Sequence, residues 1–377
     1  MKILWFAHRD IKNTRAGGAE RTIYEVCSRL SKMHVEVHLV TVNPGNLLHY
    51  EIVNGIITHR IKGNIKAHLI VRKMIKKIKP DVVVDDMGHA VPWLSSWFTD
   101  RPVIIFFRHL HARSLPGQVN FLLAKAVTLM ERLYPFIYKN NMFVTESDTS
   151  ENDLVNLGIN KDRIVRIPPG VDLDLFHQGK KTDNVQLVYF GGLRKYKRPE
   201  YAITVYENLY KKIDNLKLII AGDGPLLNGI KDRIKDKNYN IDFPGRVDYD
   251  NLAKIIRESW INLHFSVTEG WGYSIMESSA SGTPTVAFRV PGVVNTINNN
   301  CNGFLVNSID EFTDKILDII KKVILASSSA IYGDINTQTN ESMITDSYPN
   351  LYALISYSGS NCNSFLAFSI FAIVNIW

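Results

Sequence analysis

The stretch that decides the fold runs from Ile261 to Glu277 and reads Ile-Asn-Leu-His-Phe-Ser-Val-Thr-Glu-Gly-Trp-Gly-Tyr-Ser-Ile-Met-Glu. Its apolar start, 261–265, predicts a buried strand. Two glutamates, Glu269 and Glu277, then flank a Gly-x-Gly loop, and a helix is predicted to start near Ser274. A strand, a glycine-rich loop and a helix in this order are typical of one unit of a parallel α/β sheet.

Outward from this unit, short β-branched runs alternate with helical patterns up to about residue 325. This alternation predicts two doubly wound, Rossmann-like α/β domains, 1–175 and 185–325, that face a cleft and are joined by a polar linker at 175–184. The strands predicted in the first domain are 2–7, 35–42, 82–86, 103–107, 142–145 and 164–167. Those predicted in the second are 186–190, 217–221, 241–243, 261–265, 284–287 and 303–306.

Composition excludes several classes of protein. The chain has 377 residues, of which 45% are hydrophobic and 21% charged, so it is globular and not disordered. Its formal charge of +7 is a mild excess, which suits an anionic ligand or membrane surface and does not by itself imply nucleic acid. Three cysteines are too few for a disulfide framework and lack the spacing of metal ligands.

The chain start and the chain end carry different signals. The apolar run at 3–7 is broken at once by His8, Arg9 and Asp10, so we expect no signal peptide, no membrane-spanning helix and a cytoplasmic protein.

Residues 323–377 contain no Lys or Arg and are crowded with Ser and Asn. We therefore expect an atypical tail at 326–377, of the kind that a frameshift or a disordered segment produces.

Three glycine-rich turns follow predicted strands, where ligands of such sheets bind. Gly17-Gly18 precedes the first helix, whose N-terminus favours an anion; a purely structural turn is the alternative. The second turn, 191–199, carries four cations that would neutralise a diphosphate, or else forms a solvated basic loop. The third, 221–225, reads as a tight turn into a helix; it would pack against the phosphate site, or else be a purely structural turn.

The loop between Glu269 and Glu277 is the most specific pattern. Carboxylates there would accept hydrogen bonds from sugar and ribose hydroxyls, while the backbone of Gly270, Trp271, Gly272, Tyr273 and Ser274 would face phosphate. The alternative is a capping carboxylate beside a solvated helix residue. His109 and His111 follow strand 103–107 and would face the cleft; a structural role is the alternative, which two histidines at such a place make less favoured than one would.

Together these residues resemble the retaining GT-B nucleotide-sugar glycosyltransferases of family 4 (group 1). The resemblance covers about residues 1–325. It also includes Pro-Pro-Gly-Val-Asp at 168–172, Phe-Pro-Gly-Arg-Val at 243–247, Pro-Gly-Val-Val at 291–294 and Asn-Gly-Phe-Leu-Val at 302–306. Glu269 and Glu277 match the family's E-x7-E motif. The resemblance implies a GT-B fold with an acceptor-side first domain and a donor-binding second domain.

The resemblance also implies roles for individual residues. Glu269 would bind the transferred sugar, and His109 would approach the donor sugar or the acceptor; these two are the catalytic candidates. The implied donor-binding residues are Gly18, Arg194, Lys197, Arg246, Val247, Gly270, Trp271, Gly272, Tyr273, Ser274 and Glu277. Within that set, Gly18 would close on the phosphate, Lys197 would contact the diphosphate, Glu277 the ribose, and Arg246 and Val247 the base.

No metal or bound cofactor is expected, since the nucleoside-diphosphate sugar is a substrate, and the acceptor would be a sugar or a lipid-linked sugar. The chain departs from the family at Gly192, where a phosphate-binding Arg is usual; Arg194 is the natural substitute. Its tail also does not resemble the helices that usually end the family's chains. Two other functions remain open: another enzyme on this fold, such as a nucleotide-sugar 2-epimerase or a sugar phosphorylase, and a non-catalytic sugar-nucleotide-binding protein.

A basic stretch suggests a peripheral membrane contact. Residues 60–79 contain eight Lys or Arg and no acid, and from Ala67 they predict a helix with Leu69, Ile70, Met74 and Ile78 on its apolar side. A second candidate is 121–138, where Leu and Phe alternate with Lys and Arg. The alternative is that both helices simply pack on the sheet with solvated cations outside.

Overall fold

A computed structural model describes residues 1–89, 91–113 and 120–331. These residues form two compact α/β units, of which the first is Met1–Pro169 and the second starts at Gly170. Each unit is built on its own parallel sheet with helices packed against it, so the predicted fold class of two Rossmann-like domains is confirmed. The units divide six residues before the predicted boundary at 175.

The first unit contains an eight-stranded sheet with the strand order β3-β4-β2-β1-β5-β6-β7-β8. The pairing is parallel throughout except between β3 and β4. The strands are β1 Lys2–Phe6, β2 Glu36–Asn43, β3 Tyr50–Val53, β4 Ile56–Lys62, β5 Val82–Asp86, β6 Val103–Phe107, β7 Met142–Thr145 and β8 Ile164–Arg166. The helices are α1 Gly18–Lys32, α2 Asn64–Leu69, α3 Val71–Ile78, α4 Phe121–Arg132, α5 Tyr134–Ile137 and α6 Asp148–Leu157.

All six strands predicted for this unit are present, but the β3–β4 hairpin was not predicted. Asn54 and Gly55 form its two-residue turn, both with positive φ (47° and 81°). An Asn-Gly pair between β-branched residues is a strong hairpin signal, because this turn needs two residues that tolerate positive φ. The sequence carries this signal at Asn54 and Gly55.

The predicted basic helix at 67–79 is two helices with a different exposure from the expected one. Met74 and Ile78 lie in the core of the first unit, at 5% and 6% exposure, while the lysines of α3 are exposed. On α2, Leu69 is 78% exposed. The apolar face of α3 is therefore buried in the core of the first unit. The prediction that this face contributes Met74 and Ile78 to a membrane surface is wrong.

The second unit contains a six-stranded parallel sheet with the order β11-β10-β9-β12-β13-β14. Its strands are β9 Gln186–Phe190, β10 Lys217–Ala221, β11 Ile241–Gly245, β12 Ile261–His264, β13 Thr285–Phe288 and β14 Gly303–Val306. Its helices are α7 Glu200–Leu209, α8 Leu227–Ile234, α9 Tyr249–Glu258, α10 Tyr273–Ala280 and α11 Ile309–Ile331. All six strands predicted here are found, with ends shifted by at most two residues.

The predicted linker at 175–184 is packed on the second unit. Phe176 is buried in a cluster with Val188 and Ile219. The ammonium of Lys181 donates to the hydroxyl of Thr283 at 2.6 Å and to the backbone carbonyl of Arg257 at 3.0 Å, and burial lowers its pKa to about 7. The polar composition of this stretch predicted a free linker and did not predict these contacts.

The predicted tail at 326–377 lies mostly outside the described residues. Within them, α11 continues to Ile331, so a helix extends five residues past the predicted break. Across the described ranges, none of the helices combines the length and apolar character needed to cross a membrane.

Candidate active site

The two glycine turns that follow β9 and β10 fit closely into each other. The backbone N–H of Leu193 donates to the carbonyl of Asp223 at 3.0 Å. Gly222 has a φ of +148°, and a Cβ at this position would lie 1.9 Å from the carbonyl oxygen of Gly191. Only glycine permits both the φ and the approach. The 221–225 turn therefore shapes the basic loop at 191–199, as predicted.

Arg194 lies beside the position that departs from the family pattern. A Cβ built on Gly192 would be 3.7 Å from Nε of Arg194 and within 4 Å of two of its side-chain carbons. The Arg194 side chain thus covers the space next to residue 192. This placement is what a substitute for a cation at 192 requires, and its role in phosphate binding stays a prediction.

Lys197 and Glu269 form an ion pair across two loops at the end of the sheet. Lys197 follows β9, and Glu269 follows β12, the neighbour of β9 in the sheet. The loops are also tied by the backbone, because the N–H of Val267 donates to the carbonyl of Tyr196 at 2.9 Å. The structure therefore brings together two residues that the sequence predicted separately.

Both partners of this pair are held in their charged forms. Burial alone would raise the pKa of Glu269, but the Lys197 ammonium and His264 hold it well below its ordinary value. Burial likewise acts to lower the pKa of Lys197, and the Glu269 carboxylate more than offsets that effect, so the pKa is raised. The site thus carries a fixed, paired cation and anion at neutral pH.

His264, the last residue of β12, was not predicted as a site residue. Its Nε2 lies 3.2 Å from Oε1 of Glu269, and its Nδ1 lies 3.2 Å from the hydroxyl oxygen of Ser274. The side chain is 5% exposed. A polar residue inside an otherwise apolar strand, directly before a glycine loop, was the available signal.

The helix predicted to start near Ser274 is α10, which begins at Tyr273. Gly272 precedes it with a φ of +86°, and Trp271 is buried with no hydrogen-bond partner for its indole N–H among the described residues. The loop is also held from the other side. The N–H of Glu269 donates to the carbonyl of Pro291 at 3.0 Å, and Gly292 packs so closely that a Cβ would lie 2.0 Å from the Glu269 carbonyl oxygen.

The remaining residues predicted in the second unit also lie near strand ends. Glu277 is half-buried in the second turn of α10. Arg246 and Val247 directly follow β11; Arg246 is exposed, and Val247 packs against a cluster that contains Phe190. Because the strands are parallel, these residues share one edge of the sheet with Arg194 and Lys197.

Gly18 and His109 are the two predicted site residues in the first unit. Gly18 is the first residue of α1, and its neighbour Gly17 donates its N–H to Glu20 at 2.7 Å. His109 follows β6 and is half-buried, with its ring 4.8 Å from that of His111. The expected cleft between the domains, and the contact of these residues with a donor, stay predictions.

Three further histidines gather at the same edge of the first sheet and were missed. The ring of His89 lies 4.5 Å from that of His8 and 5.4 Å from that of His68, which stacks on Trp93 at 4.3 Å. Burial lowers the pKa of His8 to about 4 and that of His89 to about 3, so both are neutral at neutral pH. Positions 8, 68 and 89 are far apart in sequence, so no local pattern joins them.

No group of three or more His, Cys, Asp or Glu in the part of the chain that the structure describes is arranged to hold a metal ion. Asp172 and Asp174 form an Asp-x-Asp pattern that does not end a strand. Oδ1 of Asp172 instead accepts the backbone N–H groups of Asp174 and Leu175, at 3.2 and 3.3 Å. This carboxylate is therefore used in a turn.

Two family models match consecutive halves of the chain. The model described as Glycosyltransferase Family 4 matches residues 16–175, and that described as Glycosyl transferases group 1 matches residues 172–333. Together they cover most of the 377 residues. Fold and matches define a class, the glycosyltransferases of the GT-B type. The chain belongs to it, with a first half of the family 4 kind and a second half of the group 1 kind.

Individual relatives are distant. An uncharacterized glycosyltransferase of Methanocaldococcus jannaschii is 24% identical over 302 residues, 72% of this chain and 76% of that protein. The alpha-monoglucosyldiacylglycerol synthase of Streptococcus pneumoniae is 25% identical over 171 residues, 41% of this chain and only 39% of that enzyme. The structure of HepE from Anabaena in complex with UDP-glucose matches with a TM-score of 0.67 at 16% identity, covering 97% of this chain and all of that one, which shows the shared fold.

Proposed function

We propose that this glycosyltransferase moves a sugar from a nucleoside-diphosphate sugar to an acceptor with retention of configuration and without a bound metal. The observation that carries the proposal is the Lys197–Glu269 ion pair, which lies beside interlocked glycine turns at the end of the second sheet. Fixed cations there suit a diphosphate, and a fixed carboxylate suits sugar hydroxyls.

The proposed chemistry centres on the leaving diphosphate. As the bond between the anomeric carbon and the diphosphate oxygen breaks, negative charge grows on that oxygen. Arg194, Lys197 and the backbone N–H groups at the start of α10 stabilise this charge. The acceptor hydroxyl attacks the same face of the anomeric carbon, and its proton passes to the leaving phosphate oxygen, so the configuration is kept.

The other residues bind the rest of the donor. Glu269 accepts hydrogen bonds from hydroxyls of the transferred sugar, and Glu277 from those of the ribose. Arg246 and Val247 border the base. In the first unit, Gly18 closes on the phosphate, and His109 approaches the transferred sugar or the acceptor. Support for a sugar-nucleotide donor comes from the UDP-glucose in the HepE structure.

A donor panel tests this function. Purified protein is screened against nucleoside-diphosphate sugars by thermal shift, because a ligand that binds only the folded state raises the midpoint. NMR of the product then gives the anomeric configuration. Inverted product would refute retention. Turnover of the donor to an epimer, phosphate-dependent turnover, or binding with no turnover at all would each refute glycosyl transfer.

We also propose that the acceptor is lipid-linked and that the protein meets it on an anionic membrane surface. The supporting feature is the outer face of α4 and α5. Phe121 and Leu122 are 77% exposed, Leu129 is 62% exposed and Phe136 is 79% exposed. The S. pneumoniae relative acts, by its name, on a diacylglycerol lipid.

The charges around this face fit an anionic bilayer. Lys125, Arg132 and Lys139 are exposed among the apolar side chains. The one acid in the stretch 120–140, Glu131, is 2% exposed and accepts the backbone N–H groups of His111 and Ala112. An apolar face with cations and no exposed acid is suited to a lipid interface. Unlike α3, whose Met74 and Ile78 are buried, α4 and α5 keep large apolar side chains exposed to solvent.

Vesicle co-sedimentation tests the membrane proposal. We expect binding to phosphatidylglycerol vesicles, little binding to phosphatidylcholine vesicles, and release at high salt. The double variant Leu122→Ser/Leu129→Ser should lose most of the binding. Ile52→Ser, at a 61% exposed position on β3, is the matched control and should bind normally. Equal recovery in the supernatant with either vesicle would refute the proposal.

A further inference from the structure

His264 is a buried side chain that contacts both Glu269 and Ser274, in the first turn of α10. Its Nε2 lies 3.2 Å from Oε1 of Glu269, and its Nδ1 lies 3.2 Å from the Ser274 hydroxyl oxygen. At 5% exposure, its ring nitrogens have little access to water. Which nitrogen carries the proton is therefore decided by these two neighbours.

The neighbour on the Nε2 side is an anion. The Lys197 ammonium and His264 hold the pKa of Glu269 well below its ordinary value against the effect of burial, so the carboxylate has only lone pairs to offer. The contact between Nε2 and Oε1 is not aligned as a full hydrogen bond. It is still far more favourable with Nε2–H facing the carboxylate than with a nitrogen lone pair facing it. An imidazole with a single proton at this position therefore carries it on Nε2.

The consequence falls on Ser274. With the proton on Nε2, Nδ1 has a lone pair and must accept, so the Ser274 hydroxyl donates to it. A hydroxyl has one proton, so the Ser274 oxygen then has only lone pairs for a ligand. Such an oxygen accepts hydrogen bonds from hydroxyl groups and repels phosphate oxygens. The backbone N–H of Ser274, in the first turn of α10, remains suited to an anion.

We infer that His264 is a positioning residue that fixes the Ser274 hydroxyl as a hydrogen-bond acceptor, so that Ser274 recognises a hydroxyl of the donor and not its diphosphate. The inference deepens the proposed function and rests on it, because it concerns the ligand of the same site. It assigns the two polar groups of Ser274 to different parts of one ligand, with the side chain on a hydroxyl and the backbone on phosphate.

The protonation state is measured first, on the unaltered protein. Long-range ¹H–¹⁵N correlation on the ¹⁵N-labelled full chain distinguishes the two neutral forms of each imidazole. The signals of His264 are identified by their loss in His264→Asn. We expect the Nε2–H form. The Nδ1–H form, or a doubly protonated ring at neutral pH, would overturn the inference, since Ser274 would then be free to donate to phosphate.

Binding of two probes tests what Ser274 recognises. UDP-glucose carries hydroxyls and a diphosphate, whereas inorganic pyrophosphate carries no C–OH group. Ser274→Ala should weaken UDP-glucose binding about fivefold to tenfold, the equivalent of one net hydrogen bond, and leave pyrophosphate binding unchanged. Equal losses for both probes, or no loss for UDP-glucose in a protein that binds it, would overturn the inference.

Two partial replacements of His264 locate its action. His264→Gln reaches toward Glu269 and loses the acceptor beside Ser274, so it should match Ser274→Ala, and the double variant should be no weaker than either single one. His264→Asn keeps an acceptor close to the Nδ1 position and should bind UDP-glucose better than His264→Gln. Additive losses, or the reverse ranking, would contradict a role through Ser274.

A matched control separates the inference from general damage. His59, on β4 of the first unit, is half-buried, and its Nε2 lies 3.0 Å from Nδ1 of His38. His59→Gln should leave the binding of both probes unchanged. The tautomer is measured on the unaltered protein, and only His264→Asn, used to assign its signals, must also fold. Failure of the proposed function would show instead as absence of UDP-glucose and donor-panel binding in the unaltered protein.

Discussion

Two groups of strand-end side chains, one in each unit, are kept in opposite states. In the second unit, burial works against the charge of Glu269 and Lys197, yet each holds the other ionised. In the first unit, burial lowers the pKa of His8 and His89, the Glu20 carboxylate offsets this only in part at His8, and both histidines are neutral. Burial thus leaves a charged pair at the end of the second sheet and neutral histidines at the end of the first, where Arg108 also forms ion pairs with Asp86 and Glu146.

This difference indicates which kind of ligand each group of strand-end side chains can bind. A paired cation and anion can exchange partners with a diphosphate and a sugar hydroxyl without changing protonation. Neutral imidazoles offer hydrogen bonds but no charge. We therefore place the anionic part of the donor on the second unit.

Loss of the Lys197 cation should have the largest effect. Lys197→Met is expected to reduce turnover about 10²–10³-fold, the size seen when one group that stabilises a developing anion is removed. It also leaves the Glu269 carboxylate buried without its cation. Lys195→Met, at an exposed lysine two residues away in the same loop, is the control and should retain most activity. Equal activity of the two variants would contradict the assignment.

Glycine positions behind the charged edge should show the next largest effect. Gly222→Ala places a methyl group 1.9 Å from the Gly191 carbonyl oxygen at a φ of +148°, and Gly292→Ala one 2.0 Å from the Glu269 carbonyl oxygen at a φ of +83°. Strain at such a φ costs about 1–3 kcal/mol, before the clash is counted. We expect a thermal midpoint lowered by several degrees and weaker donor binding.

Gly229 provides the control for both glycine variants. It lies within α8 and has no atom within 4 Å of a built Cβ. Gly229→Ala should raise the free energy of unfolding by up to about 1 kcal/mol, because alanine is the better helix former. An equal loss of stability at all three positions would show that the close approaches at Gly222 and Gly292 are not tight.

Removal of the carboxylate of Glu277 should have a moderate effect on donor binding alone. Glu277→Ala is expected to weaken donor affinity by about 1.5–3 kcal/mol, the cost of losing hydrogen bonds to a charged acceptor. Isothermal titration measures it. Asp310→Ala, at an exposed acid in the first turn of α11, should leave affinity unchanged. Unchanged affinity in a well-folded Glu277→Ala would show that the ribose assignment is wrong.

The strands and the charged edge could be predicted because their signals are local. Each predicted strand is a short β-branched run, and Lys197 and Glu269 each follow such a run within a glycine-rich segment. Parallel pairing of β9 with β12 then brings them together. A glycine's need for positive φ is also a local property, which is why the turns at 191–192 and 221–225 were found.

The missed features depend on packing between distant segments. His8 and His89 follow the paired strands β1 and β5, and His68 lies on α2, so the three meet only in the folded protein and no local sequence pattern specifies that contact. His264 looks like a core residue of β12 until its distance to Glu269 is known. Lys181 looked solvated in a polar stretch, although its stem crosses to Thr283.

The smallest effect is expected from Asp85, a second buried carboxyl with the opposite behaviour to Glu269. Burial raises its pKa to about 7, and hydrogen bonds from the N–H of Ser95 (3.1 Å) and the hydroxyl of Tyr138 (3.4 Å) offset this only in part. Because the folded pKa lies above the unfolded value of 3.8, the stability that Asp85 contributes is complete below 3.8 and is lost as pH rises through about 7. From about pH 6 to about pH 8 the loss is about 1 kcal/mol.

Lys181 titrates in the same pH range. The quantity to measure is therefore the difference in pH dependence of stability between the variants and the unaltered protein. Between about pH 6 and about pH 8, chemical denaturation should show that the unaltered protein and Asp100→Asn, at an exposed position, each lose about 1 kcal/mol more stability than Asp85→Asn does. The same pH slope in Asp85→Asn would mean that Asp85 is ionised in the folded protein, and the contrast between the two buried carboxyls would not hold.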